Sequence, residues 1–194
     1  NMYRYSYKTK KFEKLPLKED VIRSFNIANN ASWATYTGTS VSNSSRSYLL
    51  NLKTLESTLI SDPYAERLSL LNLGEVKDWN FTSSFGDVIE GRFYLPPGFD
   101  ENKKYPLIVY YYGGTSPTTR IFESTYPLHV YAAQDYVVYT LQPSGTTGYG
   151  QEFSARHVNA WGDQTAEEII EGTKKFIAAH SFVDGTKIGN IGAS

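Results

Sequence analysis

The sequence closes on Gly192-Ala193-Ser194, reached through an Asp184-Gly185 turn and the short run Ile188–Ile191. Gly-x-Ser after a strand is the front half of a nucleophile elbow, a sharp strand-to-helix turn that presents serine at its apex. Small neighbours are needed there because the backbones pack too closely for side chains. Serine attacks an acyl carbon only when a base takes its proton and donors meet the developing oxyanion. There is no cysteine, which excludes thiolate nucleophiles, thiolate metal sites and disulfides from this chain. The three histidines, His129, His157 and His180, all precede Ser194. Where an elbow of this kind carries a triad, the acid and then the histidine follow the serine. None of the three is therefore expected to be the base. His180 ends a helical pattern, where a cation suits the helix dipole, and His129 and His157 read as packing or surface residues. The base and its orienting acid are expected beyond Ser194, and the 194 residues alone are expected to be inactive.

Other chemistry is weakly signalled. Gly145-Thr146-Thr147-Gly148-Tyr149-Gly150 lacks the lysine of a phosphate-binding loop and the spacing of a dinucleotide fingerprint, so it reads as a tight turn. Glu167, Glu168 and Glu171 read as a solvated helix face, and Asp87 and Asp163 as turn and cap residues. No His or carboxylate spacing suggests a metal site. A net charge of −1 gives no footprint for nucleic acid or an anionic membrane. No run approaches the roughly 20 apolar residues of a membrane span, and the N-terminus has no signal-peptide pattern.

The elements that must carry these residues divide in two. Residues 1–75 read as all-β: Met2–Tyr7, Phe12–Leu15, Arg23–Ala28, Ser32–Tyr36 and Tyr48–Leu52, with turn clusters between them. "YRYSYKTKKFEKL" and "YLLNLKTLESTLI" are similar hairpins about 45 residues apart, the spacing of propeller blades. Two unrelated hairpins of a sandwich fit the same pattern. Residues 76–194 read as a hairpin, Phe81–Leu95, and then as α/β. Leu107–Tyr112 and Tyr136–Leu141 are strands buried on both faces, Tyr126–Gln134 is a short helix, and Lys187–Ile191 is the strand into the elbow. The helix Thr165–Ala179 is expected to open on a Thr165/Glu168 capping box and to bury Ala166, Ile169, Ile170, Thr173, Phe176 and Ile177. Strand–helix–strand order implies a parallel sheet.

Three motifs in order, "LPPGFDENKKYPLIVYYYGG", "QPSGTTGYGQEF" and "VDGTKIGNIGAS", resemble the catalytic domain of prolyl oligopeptidase-type serine peptidases over Gly91–Ser194. The dipeptidyl peptidase IV and acylaminoacyl peptidase branches are the most similar. The resemblance implies an α/β hydrolase, represented by the N-terminal half of its catalytic domain (76–194), preceded by the C-terminal blades of a β-propeller (1–75). It implies Ser194 as acylating nucleophile and Tyr112 as the side-chain donor of the oxyanion hole. Two positions depart from the pattern: Thr115 stands where proline is usual, and Ser144 replaces an arginine, removing a charge near the site. The implied partner is a peptide substrate, with no cofactor, no metal, no nucleic acid and no membrane span. Self-association is expected through a strand edge left open, and a periplasmic or secreted compartment is favoured over the cytoplasm. The rival readings are an esterase or acyl hydrolase on the same fold, and a non-catalytic interaction module.

Overall fold

The computed structural model describes residues 2–193, which form two compact units. Among the described residues the first comprises 2–72 together with Thr119–Thr125, and the second Leu73–Thr118 with 126–193.

In the first unit β1 (Tyr3–Ser6) and β2 (Lys11–Lys14) form a hairpin. β3 (Val21–Ile27), β4 (Trp33–Thr39), β5 (Arg46–Asn51) and β6 (Ser57–Ser61) follow as an antiparallel four-stranded sheet in chain order. The β1–β2 and β5–β6 hairpins share one turn. Lys10 N–H donates to Ser6 O and Leu55 N–H to Asn51 O, each at 2.8 Å, and Lys10 and Leu55 both take positive φ (55° and 63°). The side chains of Ser6 and Asn51 accept from the Thr9 and Thr54 amides, each at 3.2 Å. The repeat seen in the sequence is thus a repeat of turn geometry. Tyr36 and Tyr48, directly opposite on β4 and β5, stack at 4.9 Å over Leu50 and Ala34. The Tyr48 hydroxyl donates to Glu19 at 2.5 Å, and burial, reinforced by Glu19, pushes that phenol up to about 12. α1 (Ala65–Ser69), which the sequence did not announce, ends this unit's regular structure.

The second unit is a mixed sheet. β7 (Val76–Asp78), β8 (Phe81–Thr82) and β9 (Val88–Tyr94) form its antiparallel side. β10 (Tyr105–Tyr112) runs parallel to both β11 (Val137–Gln142) and β12 (Val183–Ala193), giving the order β12-β10-β11-β9-β7. β10 and β11 are joined through α2 (Leu128–Ala132), and β11 and β12 through α3 (Gln151–Ala155) and α4 (Asp163–Ala179). Side chains alternate across a strand, so Phe93, Tyr139 and Leu141 face α4 while Tyr94 and Val138 face the opposite side, where Tyr94 meets His129 of α2 at 5.0 Å. Phe176 of α4 lies flat on Tyr139 at 4.4 Å and edge-on to Phe93 and Trp79.

Three expectations need correction. α2 is shorter than Tyr126–Gln134, since Pro127 supplies its cap and Asp135 turns out at φ 62°. β12 begins at Val183 because an irregularity around Asp184 lets Val183 pair with Tyr105 before Ile188 pairs with Leu107. α4 opens two residues early on Gly162, with no capping box. Its expected cap residues do other work: Thr165 Oγ1 donates to Ser144 O at 3.3 Å, and Glu168 is fully buried. Glu168 is therefore not a solvated acid. Its carboxylate accepts from Ser144 N–H (2.7 Å), Ser83 Oγ (3.2 Å) and Gln164 Nε2 (3.1 Å). Of the expected stripe, Phe176 is buried and Ile169 and Ile177 pack against the core, Ala166 and Ile170 are exposed, and Thr165, Glu168 and Gly172 are buried beside it.

His180 is not a helix-end cation either. It sits against Phe176, Trp79, Phe93 and Phe182, and its Nδ1 lies 2.8 Å from Phe176 O, which fixes Nδ1 as the donor. Burial holds its pKa below the ordinary range, with the carbonyl hydrogen bond opposing in part. The fold favours the neutral ring, so the stability it contributes is present above pH ~6.5 and lost as pH falls through the lowered pKa. An NMR titration of His180 should give a midpoint below ~6.5; a midpoint at or above that value would restore the cation. Glu168→Ala should cost about 2–4 kcal/mol, read as a lower urea midpoint, because three donors lose their acceptor at once. Glu167→Ala, at an exposed position of the same helix, should cost only a small fraction of that. Equal effects would return Glu168 to the surface class.

Candidate active site

β10 and β12 end together. Their register pairs Tyr110 with Ile191, Tyr111 with Gly192 and Tyr112 with Ala193. The three tyrosines thus stand beside the residues that lead into Ser194, which itself lies outside the described residues. Tyr111 packs on the α4 side, and its hydroxyl accepts from Asn190 Nδ2 at 3.2 Å. A Cβ on Gly192 would come within 3.2 Å of the Tyr111 ring, a tight contact. Tyr110 and Tyr112 point to the other face. Tyr110 meets Tyr126 at 5.1 Å; burial first, then Tyr126, raises its phenol pKa, while Arg92 pulls it back.

Tyr112 is half-buried, and its phenol lies over the backbone of Gly114. A Cβ added at Gly114 would sit 2.7 Å from the ring edge and 3.3 Å from the hydroxyl oxygen. Glycine at 114 is thus the platform on which the ring rests.

The loop that carries this platform is held from β11. Gln142, closing β11 and buried, binds both backbone groups of Thr118: its Oε1 accepts from Thr118 N–H and its Nε2 donates to Thr118 O, each at 2.9 Å. Thr140 Oγ1 meets Thr118 Oγ1 at 3.1 Å. Further on, Thr147 donates twice to the single carbonyl of Thr115, from N–H at 2.8 Å and from Oγ1 at 3.0 Å. Gly145, Gly148 and Gly150 all take positive φ, which accounts for the glycines of this loop as a turn. Ser144, where the sequence reading saw a lost charge, is buried and anchors the loop through its N–H to Glu168 and its carbonyl to Thr165.

The histidines lie at separate places: His129 against Tyr94, His180 at the end of α4, and His157 buried between Gly145 and Trp161. Both ring nitrogens of His157 lack a hydrogen-bond partner among the described residues. Asp87 is more than a turn residue, since Arg156 binds it through Nε (3.0 Å) and Nη2 (3.3 Å). Among the described residues no three His, Cys, Asp or Glu side chains gather to hold a metal ion, and no helix is long and apolar enough to cross a membrane. Sequence reasoning missed Gln142, Thr147 and Glu168. The available signal for the first was a polar residue closing an otherwise apolar buried strand.

Residues 122–194 match the model of the prolyl oligopeptidase family. The chain is 34% identical over 119 residues to a dipeptidyl-peptidase 5 of Porphyromonas gingivalis, covering 61% of this chain and 17% of that protein. It is 29% identical over 155 residues to the dipeptidyl-peptidase 5 of Schizosaccharomyces pombe, covering 72% of this chain and 22% of that one. The chain thus spans about a fifth of the length of these curated relatives. Among solved structures, the Pyrococcus horikoshii acylaminoacyl peptidase matches all of this chain over 30% of its own, with a TM-score of 0.85 at 20% identity. Porphyromonas gingivalis dipeptidyl peptidase 4 matches 98% of this chain over 27% of its own, with a TM-score of 0.81 at 19% identity. At those identities the likeness is one of fold. The sequence match over residues 122–194, which runs through the Gly192-Ala193-Ser194 motif, makes this chain similar to the prolyl oligopeptidase family of peptidases.

Proposed function

We propose that this chain supplies the nucleophile and the side-chain oxyanion donor of a serine peptidase acting on short peptides. The observation that carries the reading is the β10–β12 register. Tyr112 pairs with Ala193, the residue before Ser194, at the C-terminal end of a parallel strand pair. The family-model match and the relatives' names, dipeptidyl and acylaminoacyl peptidases, support a peptide of a few residues as substrate. In this reading residues 76–194 are the first half of an α/β-hydrolase catalytic domain. Residues 1–75 are propeller blades: the four-stranded antiparallel sheet is the size of one blade, and the repeated hairpin turn supports a second.

Ser194 Oγ attacks the scissile carbonyl as a general base takes its proton. The carbonyl oxygen becomes an oxyanion that the Tyr112 hydroxyl and a backbone N–H stabilise as donors. The C–N bond then breaks, the amine leaves with the proton from the base, and water hydrolyses the acyl–serine ester. The base and its orienting acid are assigned to sequence that follows the serine, since the three histidines here lie apart.

A fluorophosphonate probe offered to the full-length protein should label Ser194, and Ser194→Ala should abolish labelling. Well-folded protein that stays unlabelled would favour the non-catalytic module. Tyr112→Phe should lower kcat about 10²–10³-fold with KM little changed, the loss typical of one oxyanion donor. An unchanged kcat would remove Tyr112 from the machinery.

A further inference from the structure

We infer that Thr147, together with Gln142, is a positioning residue for the Tyr112 phenol, an assignment that rests on the reading of Tyr112 as oxyanion donor. A side-chain donor differs from a backbone one in having rotors of its own. It stabilises charge only if its oxygen is held where the oxyanion forms before the reaction begins. The Tyr112 ring rests over Gly114, where it fills the space a Cβ would take. Gly114 is in turn followed by Thr115, whose carbonyl takes both donations from Thr147. Three residues on, Thr118 is bound at its N–H and its carbonyl by one buried amide, that of Gln142. The segment from Gly113 to Thr118 thus has two fixed points, and both lie on β11 or on the loop that follows it. A shift of the platform under Tyr112 would strain the nearer of them, the Thr115–Thr147 contact.

Thr147 and Thr115 are both exposed, so the contact adds little to the core, whereas its removal frees the residue next to the platform. Thr147→Val keeps the shape and deletes only the hydroxyl. Thr147→Ser keeps the hydroxyl. Gln142 is buried, and its substitution would confound positioning with folding, so Thr147 is the site to test.

The experiment is a double-mutant cycle on the full-length protein, with the rate of Ser194 phosphonylation by a fluorophosphonate probe as readout. Thr147→Val should lower the maximal labelling rate about fivefold, the worth of one modest hydrogen bond. The half-saturating probe concentration and the melting temperature should stay unchanged, and Thr147→Ser should label like wild type. In the Tyr112→Phe background the same Thr147→Val change should have no effect, because the hydroxyl it positions is gone. Equal fractional losses in both backgrounds, or no loss in either, would overturn the inference while leaving Tyr112 as donor. Full-rate labelling of Tyr112→Phe itself would overturn the donor reading and the inference with it, and the two failures are told apart by that single variant.

Discussion

A carboxylate with no exposed surface sits at the centre of this sheet's support. Glu168 is sealed under the β11 loop, and such burial is tolerated only when every lone pair in reach is answered. Its three donors come from the β8–β9 hairpin, the β11 loop and its own helix. One side chain thereby fixes the rotation of α4, the depth of the hairpin and the first turn of the loop at Ser144. With Glu168 directed inward, Thr165 is on the same face, since residues three apart on a helix are neighbours, and its hydroxyl reaches Ser144 O. The loop then leaves Ser144 in one direction, which brings Thr147 to Thr115. The path from helix to candidate donor is a sequence of hydrogen bonds, each of which constrains the next.

Much of the α/β half was legible because burial on both faces leaves a plain mark. β10 and β11 read as apolar runs, and their parallel pairing followed from the helices between and after them. Failure came where polar residues go inside. Ile169, Ile170, Phe176 and Ile177 make an obvious apolar stripe on α4, yet Glu168 and Gly172 are buried beside Phe176 while Ile170 is exposed. Hydrophobic periodicity weighs a glutamate as surface, and only its three donors, scattered in sequence, justify it as core. In the first unit the hairpin repeat was visible, but its cause was not, since the positive φ falls on Lys10 and Leu55 rather than on glycine.

The site divides along the same line. Ser194 and Tyr112 announce themselves because, in the proposed function, it is their side chains that carry the chemistry. The residues that hold Tyr112 do not, because what Thr147 and Gln142 grip is backbone: the carbonyl of Thr115 and both peptide groups of Thr118. Any amino acid offers a carbonyl, so no residue type at 115 or 118 marks the contact in the sequence. The departure from proline at Thr115 leaves the gripped atom in place, which is why a substitution that looks important in the motif does not by itself disturb the geometry. The histidine at 180 misled for the opposite reason. Its sequence position suits a cation, but four aromatic neighbours strip away part of the water a cation needs.

A phenol donor asks more of its surroundings than an amide donor does. An N–H at a strand-to-helix turn is aimed by the backbone and has no rotor to freeze, whereas a tyrosine hydroxyl is carried by two side-chain torsions and ends a long lever. Freezing such a side chain during the reaction would cost up to roughly 1–2 kcal/mol of the stabilisation it brings. The cost is avoided only if the ring is already confined in the resting enzyme. Gly114 beneath the ring and the two grips on its loop provide that confinement with groups anchored to β11. Parallel pairing carries the same frame across the sheet, because β10 bonds to β11 on one side and to β12 on the other. The proposed donor and the strand that leads to the proposed nucleophile are therefore referenced to one ladder. This is the arrangement that electrostatic preorganisation requires, and here it is built from polar contacts at the sheet's end, since apolar packing alone is non-directional and would not aim a hydroxyl.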